Sequence, residues 1–370
     1  MLKHKDHFHG SDLEKIEQTY NIKKEDIISF SANVNPLGIS TELRSSLSAQ
    51  LDAITSYPDR EYKALRACIA SYADTQAENI IVGNGSTELI SLFIQTYHPK
   101  KAMILGPTYS EYEREITLGG GTTLYYPLRE ESAFEMNVDD FCSQLHDGLD
   151  LLVLCNPNNP TSTAINASQM RRILDTCLQF GIFVMVDETY VEFTNAAEHI
   201  TSVPLTYYYT NLIILRGTSK FFAAPGLRLG YAVTGNQDLI KQINTRQNPW
   251  SINSLAEIAG RLMFQDQNYQ QKTQQLIHSE RSRLFKLLSG WDTVKVYKPM
   301  GNFILVRILK EGTDADTLFE HCIRKGLMIR NCSTFPFLDN SFVRFCIMMP
   351  EQNDRLMEAF AEILKESISG

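Results

Sequence analysis

No stretch of this 370-residue chain approaches the ~20 consecutive apolar residues of a membrane span, although 43% of its residues are hydrophobic. That apolar content is spread in short runs, as in a protein that buries a core. Basic runs are lacking too. Thirty-five Lys and Arg against 43 Asp and Glu give a formal charge of −8, which argues against nucleic acid or an anionic membrane as partner and leaves small molecules. The seven cysteines are odd in number and form no C-x-x-C pair or Cys/His cluster. They read as buried thiols in a reducing compartment, with neither disulfides nor a metal site expected. The opening Met1-Leu-Lys-His-Lys-Asp-His is polar, so no signal peptide is read there and the cytoplasm is the expected address. No internal repeat or low-complexity segment is visible.

What is present has a clear rhythm. Short apolar runs at 102–105, 151–155, 182–186, 212–215 and 229–233 alternate mostly with helically patterned segments. This pattern predicts an α/β domain whose mostly parallel sheet is covered on both faces by helices. From Ser254 a long helical stretch, strand-like segments at 303–307 and 342–347, and an amphipathic helix over 354–368 predict a smaller α+β domain at the C-terminus. The expected division is an N-terminal arm over 1–35, a large domain over 36–250 and a small domain over 251–370, with Pro249-Trp250 as the junction.

Ligands of open α/β sheets collect beyond the carboxyl ends of the strands, so the residues that follow the apolar runs are the first candidates for chemistry. In Gly217-Thr-Ser219-Lys220 a lysine follows a strand, where partial desolvation favours the neutral amine needed to form a Schiff base. Arg228, eight residues on, has the fork that clamps a phosphate. In Val186-Asp187-Glu-Thr-Tyr190 a carboxylate ends a buried strand. It serves either as a helix cap or as the partner of a cationic ring nitrogen, and alone it does not choose. Asn156-Pro-Asn-Asn159 follows another strand and reads as a turn that also offers an amide. Gly83-Asn-Gly85-Ser86-Thr87 opens a helix and offers N–H groups and hydroxyls to an anion. Gly119-Gly-Gly121 reads as a plain loop.

With these four elements in this order, the chain resembles the class I/II aminotransferases of pyridoxal-phosphate fold type I along essentially its whole length. The resemblance implies that pyridoxal 5′-phosphate is the cofactor and that Lys220 holds it as a Schiff base. Asp187 would pair with the pyridine nitrogen, Asn159 and Tyr190 would bond the ring oxygen, and Tyr109 would stack on the ring. Ser86, Thr87, Ser219 and Arg228 would hold the cofactor phosphate, joined by Tyr57 from the second subunit of a homodimer. Arg344 would bind the substrate α-carboxylate, Arg330 a substrate phosphate, and Asn35 and His9 would line the same site.

Two groups within the family compete, the threonine-phosphate decarboxylases of cobalamin synthesis and the histidinol-phosphate aminotransferases. The stretches at 9–10, 30–36, 57–62, 248–253 and 329–332 look more like the decarboxylases, so the expected substrate is a phosphorylated amino acid. Two departures stand out. Gly217 occupies a place where these families usually carry a phosphate-binding hydroxyl, so that contact is either missing or supplied by Thr218 or Ser219. Ser11 follows His9-Gly10 where the decarboxylases typically carry a second glycine. A non-catalytic cofactor-sensing module of a transcription regulator would need a basic DNA-binding domain, and the acidic chain offers none.

Overall fold

The computed structural model describes residues 12–365. His9 therefore lies outside the described residues. A helix, Leu13–Tyr20, precedes a short strand, β1 (Ile28–Ser29), and the chain then builds a seven-stranded sheet from β2 (Ile80–Gly83), β3 (Lys101–Gly106), β4 (Thr122–Pro127), β5 (Leu151–Cys155), β6 (Phe183–Asp187), β7 (Leu212–Gly217) and β8 (Gly230–Val233). The spatial order is β2-β8-β7-β6-β5-β3-β4. Only β8 runs antiparallel to its neighbours, β7 and β2; the other pairs are parallel. The α/β class read from the apolar runs is the observed one.

The sheet is covered on both faces, which is why its central strands are apolar for most of their length instead of alternating with polar residues. Successive side chains still point to opposite faces. Leu152 and Leu154 of β5 enter the main core, while Leu151, Val153 and Cys155 enter a second cluster with Phe93, Ile104 and Met185. Covering helices begin where the sequence supplies caps: Asn166 accepts from the N–H groups of Ser168 and Gln169, opening Ala167–Gln179.

The smaller sheet contains β9 (Val294–Val296), β10 (Phe303–Ile308), β12 (Arg330–Asn331) and β13 (Phe342–Cys346) in the order β12-β13-β10-β9. Between them, β11 (Leu327–Met328) pairs with β1 in parallel. The arm thus joins the C-terminal part of the chain. The helical stretch from Ser254 is two helices, Ser254–Gln265 and Gln267–Ser289, and the last helix covers Pro350–Leu364, starting and ending a few residues earlier than the pattern suggested because Pro350 fits the first helical turn.

Helix Ser254–Gln265 packs against the helices Thr41–Ala49 and Lys63–Ala73, whereas Gln267–Ser289 packs against β9 and β10. We propose that the division between the two domains falls between these helices instead of at Pro249-Trp250. Arg281 spans the division. It is buried, and its guanidinium donates to the carbonyls of Phe193, Met300 and Gly301 and to the Asn195 amide oxygen.

Candidate active site

A cavity of about 800 Å3 opens at the carboxyl ends of β3, β5, β6 and β7. Its wall brings together Ser86, Thr87, Tyr109, Asn159, Asp187, Tyr190, Ser219, Lys220, Arg228, Arg330 and Arg344, residues spread over more than 250 positions of sequence. One of the described residues expected there is elsewhere, and Tyr57 was expected at a partner's site. Asn35 lies behind the wall, its side-chain N–H groups donating to the Phe221 carbonyl at 2.7 Å, Tyr269 Oη at 2.9 Å and Thr273 Oγ1 at 2.7 Å. It braces the loop that carries Lys220 and does not line the cavity. Tyr57 is 80% exposed, with its ring 4.7 Å from that of Trp250 and Arg60 over the latter.

Lys220 sits three residues beyond β7, and its Nζ donates to the Ala32 carbonyl at 2.6 Å. Burial, reinforced by repulsion from Arg344, lowers its pKa to about 8. The amine is therefore far closer to neutral at physiological pH than an exposed lysine, as a nucleophile requires.

Asp187 ends β6 and is buried. Its Oδ1 accepts from the Thr189 N–H at 2.9 Å and the Thr189 hydroxyl at 2.5 Å, and its Oδ2 from Tyr112 Oη at 2.7 Å. The turn after the strand thus supplies donors that hold the carboxylate without neutralising it, leaving it able to accept from a cation in the cavity. Tyr112 is fully buried and burial raises its pKa well above that of a free phenol, so it acts here only as a donor.

An anion cup lies beside the lysine. Helix Ser86–Tyr97 starts at Gly85 without a side-chain cap, so its first N–H groups face outward from the helix end. Gly85 has φ +84°, and a Cβ there would fall 2.3 Å from Arg228 Nη2. A Cβ on Gly230 would fall 2.4 Å from the Ser86 nitrogen. The two glycines let a guanidinium and a helix N-terminus converge, the donor set a phosphate needs. Thr218 contributes nothing to it, because this buried residue donates its hydroxyl to the Leu229 carbonyl. Ser219 is the hydroxyl that reaches the wall.

At the other end, Arg344 is buried, with Phe303 against its guanidinium at 5.3 Å. It donates to the Asn159 amide oxygen and to the Ser31 carbonyl. Arg330 donates to Thr334 Oγ1 at 2.8 Å and stacks on Phe335; burial lowers its pKa. Sequence reading missed Ser31, Ala32, Asn33, Tyr112, Thr189 and the loop Ser333–Pro336, all of which line the cavity. Thr189, two residues beyond Asp187, was the one with a local signal.

These donors and acceptors fit pyridoxal phosphate by chemistry: a cup for its phosphate, an unneutralised carboxylate for its ring nitrogen, and a depressed-pKa amine for its aldehyde. Comparison with known proteins points the same way. Residues 25–360 match the family model "Aminotransferase class I and II". A relative in Caldanaerobacter subterraneus subsp. tengcongensis, named for threonine-phosphate decarboxylation, is 35% identical over 91% of this chain and 90% of its own. The threonine-phosphate decarboxylase of Salmonella typhimurium is 32% identical over 96% of each chain. Among solved structures, the histidinol-phosphate aminotransferase from Clostridium acetobutylicum superposes with a TM-score of 0.85 at 31% identity, covering 90% of this chain and 98% of its own.

Proposed function

This chain belongs to the class I and II aminotransferases, a family of pyridoxal-phosphate enzymes, and on that premise we propose that it is a decarboxylase of threonine phosphate. The observation that carries the reading is one cavity holding a half-buried lysine, a strand-tip carboxylate and, besides Arg228, two further arginines. When bound, pyridoxal phosphate supplies an electron sink for the pair left behind when a bond to the substrate α-carbon breaks.

The chain's own residues do the rest. Lys220 Nζ would be the attachment point and would carry the proton exchanged at the substrate's α-carbon. Asp187 would keep positive charge on the ring nitrogen. Ser86, Thr87, Ser219 and Arg228 would hold the phosphate end of the cofactor, while Asn159 and Tyr190 would hold the ring oxygen and Tyr109 would cover the ring face. Arg344 and Arg330 grip the two anionic ends of the substrate, the α-carboxylate and the phosphate. The way these arginines would turn the substrate in the cavity would decide whether the carboxylate or the α-hydrogen is lost.

Both activities named among the relatives act on phosphorylated compounds; threonine phosphate offers a carboxylate and a phosphate to the two arginines in one molecule, whereas histidinol phosphate has no carboxylate and would leave one arginine to the keto acid. The stretches at 30–36 and 248–253 favour the decarboxylase. A second reading, transamination of histidinol phosphate, is favoured by the likeness to the Clostridium enzyme. Incubation with threonine phosphate alone is expected to release carbon dioxide and an amino-alcohol phosphate with no keto acid added. If threonine phosphate is inert and histidinol phosphate turns over only with 2-oxoglutarate, the second reading replaces the first.

The working unit in this reading is a homodimer. The exposed aromatic cluster of Tyr57 and Trp250 is the place for the partner, with Tyr57 reaching the partner's cofactor phosphate. Sedimentation of a fully active monomer at assay concentration would exclude it.

A further inference from the structure

Asn33 is 1% exposed, lines the cavity and has φ +56°. Asparagine tolerates this left-handed conformation better than other residues with a side chain, but glycine would satisfy the backbone as well. The amide must therefore be explained by what it touches. Its Nδ2 donates to Tyr190 Oη at 3.2 Å, its backbone carbonyl accepts from Asn302 Nδ2 at 3.0 Å, and its Oδ1 is buried without a hydrogen-bond partner among the described residues.

The contact with Tyr190 has a directional consequence. Burial raises the Tyr190 pKa above the ordinary phenol value, against the opposing pull of Arg344 and the Asn33 hydrogen bond, so the hydroxyl keeps its single proton. Phe303 packs against the ring at 4.9 Å in a T-shaped contact, which fixes the ring plane and leaves only the O–H torsion to be set. A hydroxyl oxygen that accepts from Asn33 turns its own proton away from Asn33. The charged and titratable groups around Tyr190 are Arg344, Asp187, Cys155, Tyr109 and Lys220, and Tyr190 itself lines the cavity.

We infer that Asn33 is a positioning residue which, by donating to Tyr190, aims the phenol O–H into the cavity and makes Tyr190 a donor to the cofactor's ring oxygen. The inference rests on the cofactor reading above, but not on which substrate is used. A donor on that oxygen withdraws negative charge and loosens the proton shared with the neighbouring Schiff-base nitrogen, holding the pH midpoint of the visible absorbance change low.

The test uses holoenzyme without substrate. Asn33→Asp keeps the shape but presents an acceptor, so the Tyr190 proton turns toward it and away from the cavity. The absorbance midpoint is expected to rise by about one pH unit, a tenfold change in proton affinity. Tyr190→Phe should rise similarly, and the double variant should rise no further than Tyr190→Phe alone. Should Asn33→Asp fail to fold, Asn33→Gly removes the donor while accepting φ +56°, and its midpoint should also rise, again only when Tyr190 is present. An unmoved midpoint in the Asn33 variant that folds, or a shift that persists in the Tyr190→Phe background, overturns the role of Asn33. A wild-type protein with no titrating visible band overturns the cofactor reading itself, and so separates the two failures.

Discussion

Gly217 and Gly230 face each other across β7 and β8, yet a methyl group should have opposite consequences at the two positions. On Gly230 a Cβ would lie 2.4 Å from the Ser86 nitrogen and 2.6 Å from the Gly85 carbonyl carbon, backbone atoms that move only with the start of the helix. Restoring an ordinary contact needs a shift of about 1 Å, which on the scale of misplaced reacting groups is worth up to ~100-fold, and the overpacking itself costs about 1–3 kcal/mol. Gly230→Ala is therefore expected to weaken cofactor binding by ~10–100-fold and to lower the melting temperature. On Gly217 the nearest atoms to a Cβ are Ser86 Oγ at 3.6 Å and the Leu229 carbonyl at 3.7 Å. Gly217→Ala should be tolerated, and Gly217→Ser should tighten the cofactor by adding a hydroxyl beside Ser86. Absorbance titration of cofactor-stripped protein gives the affinities. Equal affinities for the two alanine variants would refute the convergence of strand and helix as the determinant of the cup.

Three other outcomes are expected. The rate at which cofactor attaches to stripped protein should climb as pH rises toward about 8 and level off above it, because burial lowers the Lys220 pKa to that value and the neutral amine is the reactant; Lys220→Ala should leave no adduct after borohydride reduction. Asp187→Asn should retain cofactor but lose at least ~100-fold in turnover, with Tyr112→Phe losing far less, since it removes one donor to the carboxylate and leaves the charge. Glu192 is buried and its pKa is raised from 4.5 to about 7, by burial and against the attraction of Arg216. A raised folded-state pKa stabilises the fold fully below pH 4.5, and that contribution, about 3 kcal/mol, is lost as pH rises through about 7; denaturant titrations of Glu192→Gln that keep the wild-type slope between pH 5 and 8 would rule this out.

Much of the site was legible because its chemistry sits at strand tips, where one local run reveals both the strand and the residue beyond it. Lys220, Asp187 and Asn159 are of this kind. β2 and β4 were not read, the second because Thr122, Thr123, Tyr125 and Tyr126 break the apolar run at a sheet edge. Asn35 was expected at the cavity because the family resemblance placed it there. The left-handed turn at Asn33 precedes it, and its amide is spent behind the wall on the Phe221 carbonyl, Tyr269 and Thr273. Tyr112 was hidden for another reason. Within the helix Glu111–Leu118 it reads as one more core aromatic, and only the fold brings it under Asp187.

The arm's docking also bears on how the protein is made. The Phe30 carbonyl accepts from the Cys346 N–H, the Ser31 carbonyl from Arg344, and β1 pairs with β11. Residues of the arm thus wait for a strand made about 300 residues later. Lys220 and Asp187 are synthesised before β13, but the wall formed by Ser31, Ala32 and Asn33 is closed only when synthesis has passed it. A nascent chain that has not yet made β13 holds Lys220 without the finished cavity, so the cavity reaches its working geometry only after that strand is made.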